Sequence, residues 1–279
     1  MNHREGLRLA SRLLTAAVLS ATSLAGWAGP PFRTDDPDAD GSEFIVFYQQ
    51  TLAADGRTGV LPAFEYNYKL EHQSVQLHLV APVAFSTPSG QRTSRGYGDT
   101  ELGVKWQFKK FHDEDDMEPT LGIFPLVEVP TGNSDRELGN GHTQVFIPLW
   151  VQWKRDVKWD ESKPGEFKTY GGGGYWVNNG PGNRNYWFVG WAAEYKFTDS
   201  MTLGAEIFHT TGQVIGQSAS TGFNVGGCYE FDQGNLLFSV GKGLQNAADT
   251  NRVSAYIGYQ LKFNSTGGFV QADEKNKGC

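Results

Sequence analysis

The residues in this chain that could do chemistry are acids, histidines and lysines. Asp36-Pro37-Asp38-Ala39-Asp40-Gly41 resembles the first half of a calcium loop, with alternating acids and then glycine. The closing position should be a bidentate glutamate, and here it is Phe47. A solvated acidic turn is the better reading. His112-Asp113-Glu114-Asp115-Asp116 is likewise a solvated turn by composition. No Lys-Ser or Lys-Thr pair follows Gly171 to Gly174, so that run is no phosphate loop. Glycine inside a strand marks a bend or a close approach instead. The six histidines and the serines permit a hydrolytic triad on paper, but the chain has no nucleophile elbow. His209 beside Thr210 and Thr211 defines no geometry. The expectation is no catalytic residue, no metal site and no cofactor.

A second set of charges does fall in a pattern. Lys105, Lys154, Lys168, Glu194, Lys196, Glu206, Glu230 and Lys262, with Lys69, sit on the non-apolar face of strand-like runs and near one end of them. Gly103, Gly172, Gly174, Gly190, Gly204, Gly226 and Gly258 share that face. Missing side chains there leave room for long charged ones below. Both signs lie side by side, which favours ion pairing over a selectivity ring of one sign. If the strands close into a barrel, these residues form a lumen charge cluster in its periplasmic half. The plainer alternative is that they line a wet pore.

The clearest of the positioning elements is the stretch from Lys168 to Phe197. A turn of Asn178, Asn179, Gly180, Pro181, Gly182 and Asn183 separates two runs. In the second, Trp187, Val189, Trp191, Ala193, Tyr195 and Phe197 share one face, while Phe188, Gly190, Ala192, Glu194 and Lys196 share the other. Period two means a strand. Its length and its aromatic ends suit a tilted strand crossing a bilayer between aromatic girdles. The same phase makes Trp106, Trp153, Trp187, Trp191, Tyr195 and Phe263 the expected lipid-facing aromatics.

Strand-like segments recur at residues 43–51, 59–70, 74–82, 99–111, 120–130, 143–155, 167–177, 185–197, 201–211, 221–231, 236–245 and 252–263. About twelve is an even number, as antiparallel closure of a bacterial barrel requires. Connections at 71–73, 198–200 and 232–234 are tight, and those at 83–98, 131–142 and 212–220 are long. Short periplasmic turns opposite long outer loops are the barrel pattern. Residues 112–118 and 156–166 are long for inner turns.

Mean hydropathy is −0.44, which excludes a bundle of membrane helices but not a barrel, whose lumen dilutes the average. Arg4, Arg8 and Arg12 precede the apolar run from Leu13 to Leu24, and Gly26-Trp27-Ala28 offers a cleavage site. Residues 1–28 therefore read as a secretory signal. Its three arginines and one glutamate, once removed, take the formal charge from −7 to −9. That balance argues against a nucleic-acid partner. The two cysteines, Cys228 and Cys279, are not a disulfide framework, and no bond between them is expected.

GPPFRTDDP, GYGDTELGVKWQF (96–108), FPLVEVPTGN (124–133), TYGGGGYWVNNGPGNRNYWFVGW (169–191), TLGAEIFHTT (202–211), TGFNVGG (221–227) and GLQNA (243–247) resemble the outer-membrane proteins of the MetA-pathway phenol-degradation family. The resemblance spans nearly the whole mature chain. It implies an outer-membrane barrel and a role in handling small aromatic compounds, and it supplies no catalytic residue.

The reading is all-β: a single antiparallel transmembrane β-barrel of about twelve strands, with both termini periplasmic. Residues 29–42 form a periplasmic N-terminal segment, 43–263 the barrel and 264–279 a polar tail. The expected function is passive passage of small hydrophobic or aromatic molecules across the outer membrane, without enzymatic activity. Expected partners are outer-membrane lipid, the barrel-assembly machinery and a small-molecule solute. An outer-membrane hydrolase of lipase or protease type and a non-transporting structural barrel are the alternatives. A soluble secreted sandwich is the rival fold.

Overall fold

A computed structural model describes residues 31–39, 41–71, 73–110, 118–160 and 163–263. The leader, Asp40, the acidic run 112–116, Cys279 and the tail 264–279 lie outside these residues.

The strands are β1 (Ser42–Leu52), β2 (Gly56–Lys69), β3 (Val75–Pro88), β4 (Ser94–Tyr97, resuming at Thr100–Lys109), β5 (Thr120–Ile123, resuming at Leu126–Val129) and β6 (Gln144–Asp160). They continue with β7 (Lys163–Val177), β8 (Tyr186–Thr198), β9 (Met201–Thr210), β10 (Ser220–Phe231), β11 (Gly234–Gln245) and β12 (Val253–Phe263). Each pairs antiparallel with its neighbours in sequence, and β1 pairs with β12. The result is a closed twelve-stranded up-and-down barrel with no free edge. Ser42 faces Phe263 in register, so both ends of the barrel chain lie at one rim, called here the terminal rim.

Alternation explains the wall. Outward positions expose apolar residues: Trp106 48%, Ile147 59%, Leu149 52%, Trp187 56%, Val189 54% and Ile257 49%. Inward positions bury polar ones, among them Gln49, Glu65, His78, Gln107, Gln152, Asn224 and Gln260. A soluble sandwich would do the reverse. An apolar outer surface around a polar interior is stable when lipid is the outer solvent.

Four sequence expectations change. Residues 83–98 are not a long loop: β3 runs to Pro88 and pairs with Ser94–Tyr97 in a hairpin rising above the wall. Residues 156–166 are not a long turn either, since Asp156 pairs with Glu166 in a β6–β7 ribbon at the terminal rim. Both stretches project past the apolar belt, where neither face needs apolar residues, and so the alternation that reveals strands is lost there. Residues 29–42 are expected as a polar periplasmic segment with a solvated acidic turn at 36–41, yet Phe32, Thr34, Asp35 and Ala39 are buried. Cys228, buried on the bore face of β10, is disulfide-bonded against the expectation.

Inside the bore one apolar cluster holds Phe124, Leu126, Phe146, Trp150, Trp176, Tyr186, Phe188 and Phe208. Phe146 stacks on Trp176 at 4.7 Å and Trp176 on Tyr186 at 5.8 Å. At the far mouth, Leu138 from residues 131–142 is buried in a second cluster with Val60, Ala63 and Ala84.

Candidate functional site

The bore is occupied by the chain's own N-terminal segment. It enters past the terminal rim, where Gln76 Nε2 donates to the Gly41 carbonyl at 3.0 Å, and reaches Ser239, whose Oγ donates to the Pro31 carbonyl at 2.7 Å. Phe32 packs against Tyr170 and Ala192. The Arg33 guanidinium lies 4.6 Å from the Phe208 ring centre and 5.6 Å from that of Phe188. Room for this backbone comes from the wall: a Cβ on Gly122 would lie 2.9 Å from Pro37 Cβ, and one on Gly190 would lie 3.2 Å from Thr34 Cβ and clash with Thr34 Oγ1.

The segment's polar groups are matched one by one. Glu206 accepts from the Arg33 and Thr34 amides at 2.8 Å each, from Thr34 Oγ1 at 2.7 Å and from Asn224 Nδ2 at 2.5 Å. Lys105 Nζ lies 2.9 Å from Asp35 and 4.0 Å from Asp36. Lys168 Nζ bridges Asp36 at 3.2 Å and Glu194 at 3.0 Å. Asp38 accepts from Gln107 Nε2 at 3.0 Å and Gln152 Nε2 at 2.9 Å. The two lysines also sit 4.9 Å from aromatic ring centres, Lys105 over Phe124 and Lys168 over Tyr170.

Burial pushes the Asp35 carboxyl up to about 7, with Lys105 working against the rise. For Asp36 burial acts the same way, but Lys168 and Lys105 outweigh it and hold the carboxyl below its usual value. Asp36 and Asp38, the first acids of the calcium-like run, are thus engaged with lysines and amides. Among the described residues no cluster of acids, histidines or cysteines is arranged to hold a metal ion.

The expected charge cluster divides. Lys105, Lys168, Glu194 and Glu206 converge on the segment. Lys196 pairs with Glu230 at 3.4 Å, apart from it. Lys262 faces Glu43 across the β12–β1 ladder. Lys154 stands opposite Lys168 in the β6–β7 ladder but does not join the ion pairs on the segment: it pairs with Glu166 at 3.3 Å, its side chain 47% exposed. Of the expected lipid-facing aromatics, Trp106, Trp187 and Trp191 are exposed on the outer wall. Trp153, Tyr195 and Phe263 share that outward phase and are half-buried, Trp153 lying 6.0 Å from Trp191.

The residues missed from sequence are Arg33, Thr34, Asp35, Gln107, Gln152 and Asn224. One signal pointed to them. The charged set read from the alternation held six lysines, counting Lys69, against three glutamates, and residues 35–40 are rich in aspartate that could meet the excess. Also missed was a buried polar network on the opposite wall. His78 lies 2.6 Å from Asn67 and 3.0 Å from Glu101, Asn67 donates to Glu65 and Glu43 at 2.8 Å each, and Gln260 donates to Glu43 at 2.5 Å. His209 hydrogen-bonds Thr221 at 2.9 Å.

Among solved structures, the COG4313 outer membrane channel from Pseudomonas putida F1 is similar at 16% identity and a TM-score of 0.56, covering 84% of this chain and 99% of the channel. The NanC porin is similar at 8% identity and a TM-score of 0.50, covering 79% of this chain and 99% of the porin. At these identities the likeness establishes the fold. No curated protein matches. The family model described as "Putative MetA-pathway of phenol degradation" matches residues 55–263, and the chain belongs to that family.

Proposed function

We propose that the protein is an outer-membrane channel for small hydrophobic or aromatic molecules, closed at rest by its own N-terminal segment. One observation carries the reading: residues 31–39 fill the bore of a barrel whose outer belt is apolar, and polar contacts from five strands hold them. An eight-stranded barrel is filled by its own side chains, and the wider bore of twelve strands leaves room that the segment here occupies. The proteins of similar fold are a channel and a porin, and the family description supplies the aromatic solute class. In this reading lipid surrounds the apolar belt, the assembly machinery inserts the barrel, the terminal rim faces the periplasm, and no bond of the solute is broken. Liposome swelling with solutes of graded size and polarity tests it. Full-length protein should admit few solutes, and a variant lacking Phe32 to Ala39 should admit many. Equal, negligible swelling for both, with folding verified, would leave a structural barrel.

A further inference from the structure

We propose that the seat of Phe32 to Asp36 is a binding site for a small aromatic carboxylate that also carries a hydrogen-bond donor, and that the segment is a built-in stand-in for that ligand. The proposal rests on the channel reading and names its solute class. The segment presents three groups in a row. The first is a ring: Phe32 is fully buried against Tyr170 and Ala192. The second is a set of donors: the Thr34 hydroxyl and two amides meet Glu206 at 2.7 to 2.8 Å. The third is a carboxylate: Asp35 meets Lys105 at 2.9 Å.

Withdrawing the segment would strand buried charges of both signs. Lys105 would lose the carboxylates at 2.9 and 4.0 Å, and Glu206 would keep only Asn224 of its four donors. Lys168 would keep Glu194 at 3.0 Å. A buried charge deprived of its partner is costly. The segment therefore leaves most readily when an occupant brings an anion to Lys105 and a donor to Glu206, with a ring for the place of Phe32. A neutral phenol leaves Lys105 unmatched. Acetate offers neither ring nor donor. Opening thus becomes an exchange, in which the solute that fits the seat releases the segment.

The test is calorimetric titration of the full-length protein in detergent micelles with 4-hydroxybenzoate, benzoate, phenol and acetate. 4-Hydroxybenzoate should bind tightest and benzoate next, with phenol and acetate weakest. Asp36→Asn removes the carboxylate that lies 3.2 Å from Lys168 and 4.0 Å from Lys105, weakens the internal competitor and should tighten 4-hydroxybenzoate binding about tenfold. Lys105→Met should weaken it by about tenfold or more, as expected for loss of a buried charge-assisted hydrogen bond. A second readout needs no change in the seat. With Ala39→Cys, buried at 0% exposure, maleimide labelling should accelerate with 4-hydroxybenzoate and not with phenol. Equal binding of phenol and 4-hydroxybenzoate, an unchanged affinity in the Asp36→Asn variant, or labelling indifferent to ligand would overturn the proposal. Binding in micelles requires no conduction, so failure here leaves the channel reading standing. Binding without flux would sink the channel reading instead.

Discussion

At the terminal end the bore is filled by residues 31–39, whose carboxylates meet lysines from β4 and β7. At the far mouth residues 131–142 fold over the opening, and much of what holds them is backbone. Asp99 accepts from the Gly132 amide at 2.8 Å and the Asn140 amide at 2.5 Å, and Asn133 caps the short helical turn Ser134–Arg136. Glu137 accepts from Ser86 Oγ at 2.7 Å, and Leu138 anchors the loop in the apolar cluster. The loop continues into β5 and β6 at both of its ends. The segment joins the barrel only through Gly41 and is otherwise held by groups that a small solute could replace. Buried ion pairs give little net stability but are costly to break on one side only. A closure built from them is therefore selective in what can open it, whereas a closure built from backbone amides and an apolar anchor is a fixed narrowing.

The largest expected effect separates the two closures. Deleting Phe32 to Ala39 should raise conductance in planar bilayers severalfold, while replacing Ser134, Asp135 and Arg136 by a Gly-Ser link should change it little. The opposite ranking would make the far loop the gate. A smaller effect separates the seat from the wall. Gly190→Ala places a methyl against Thr34 and should raise conductance while the barrel stays folded. Val189→Arg, one residue away and 54% exposed on the outer face, should cost about 2–4 kcal/mol of barrel stability at mid-bilayer depth. Equal destabilisation by both, read from heat-modified gel mobility, would contradict the assigned phase.

The smallest expected effect is on pH. Seating raises the Asp35 carboxyl to about 7 from its usual value of 3.8, so the seated state binds a proton that the released state does not. Seating is favoured as pH falls from 7 toward 4, and conductance should decline over that window. Asp35→Asn should flatten the decline. A rise in conductance on acidification would reverse the sign.

Much of this was legible in the sequence. Period-two runs such as 186–198 marked strands because one face must be apolar against lipid, and twelve such runs imply closure. The bore-facing phase of Lys105, Lys168, Glu194 and Glu206 followed from the same alternation. Pairings across the bore did not. Residues 31–39 have no periodicity, and nothing in their order says that Asp35 meets a lysine 70 positions away. The ribbons at residues 83–97 and 156–166 were hidden for another reason, since beyond the bilayer a strand needs no apolar face. Lys154 shares phase and level with Lys168, which stands opposite it in the ladder, and nothing in the residue order says that Lys154 turns to Glu166 at 3.3 Å while Lys168 turns to the segment.

The most direct measurement locks the segment in place. Cysteines at Thr34 and Gly190 would bring their Cβ atoms to 3.2 Å, near the range a disulfide spans. Flux of 4-hydroxybenzoate into liposomes should be absent when the Thr34→Cys, Gly190→Cys protein is oxidised and should return on reduction. Equal flux in the two states, with the cross-link verified by mass spectrometry, would show that solute passes with the segment seated.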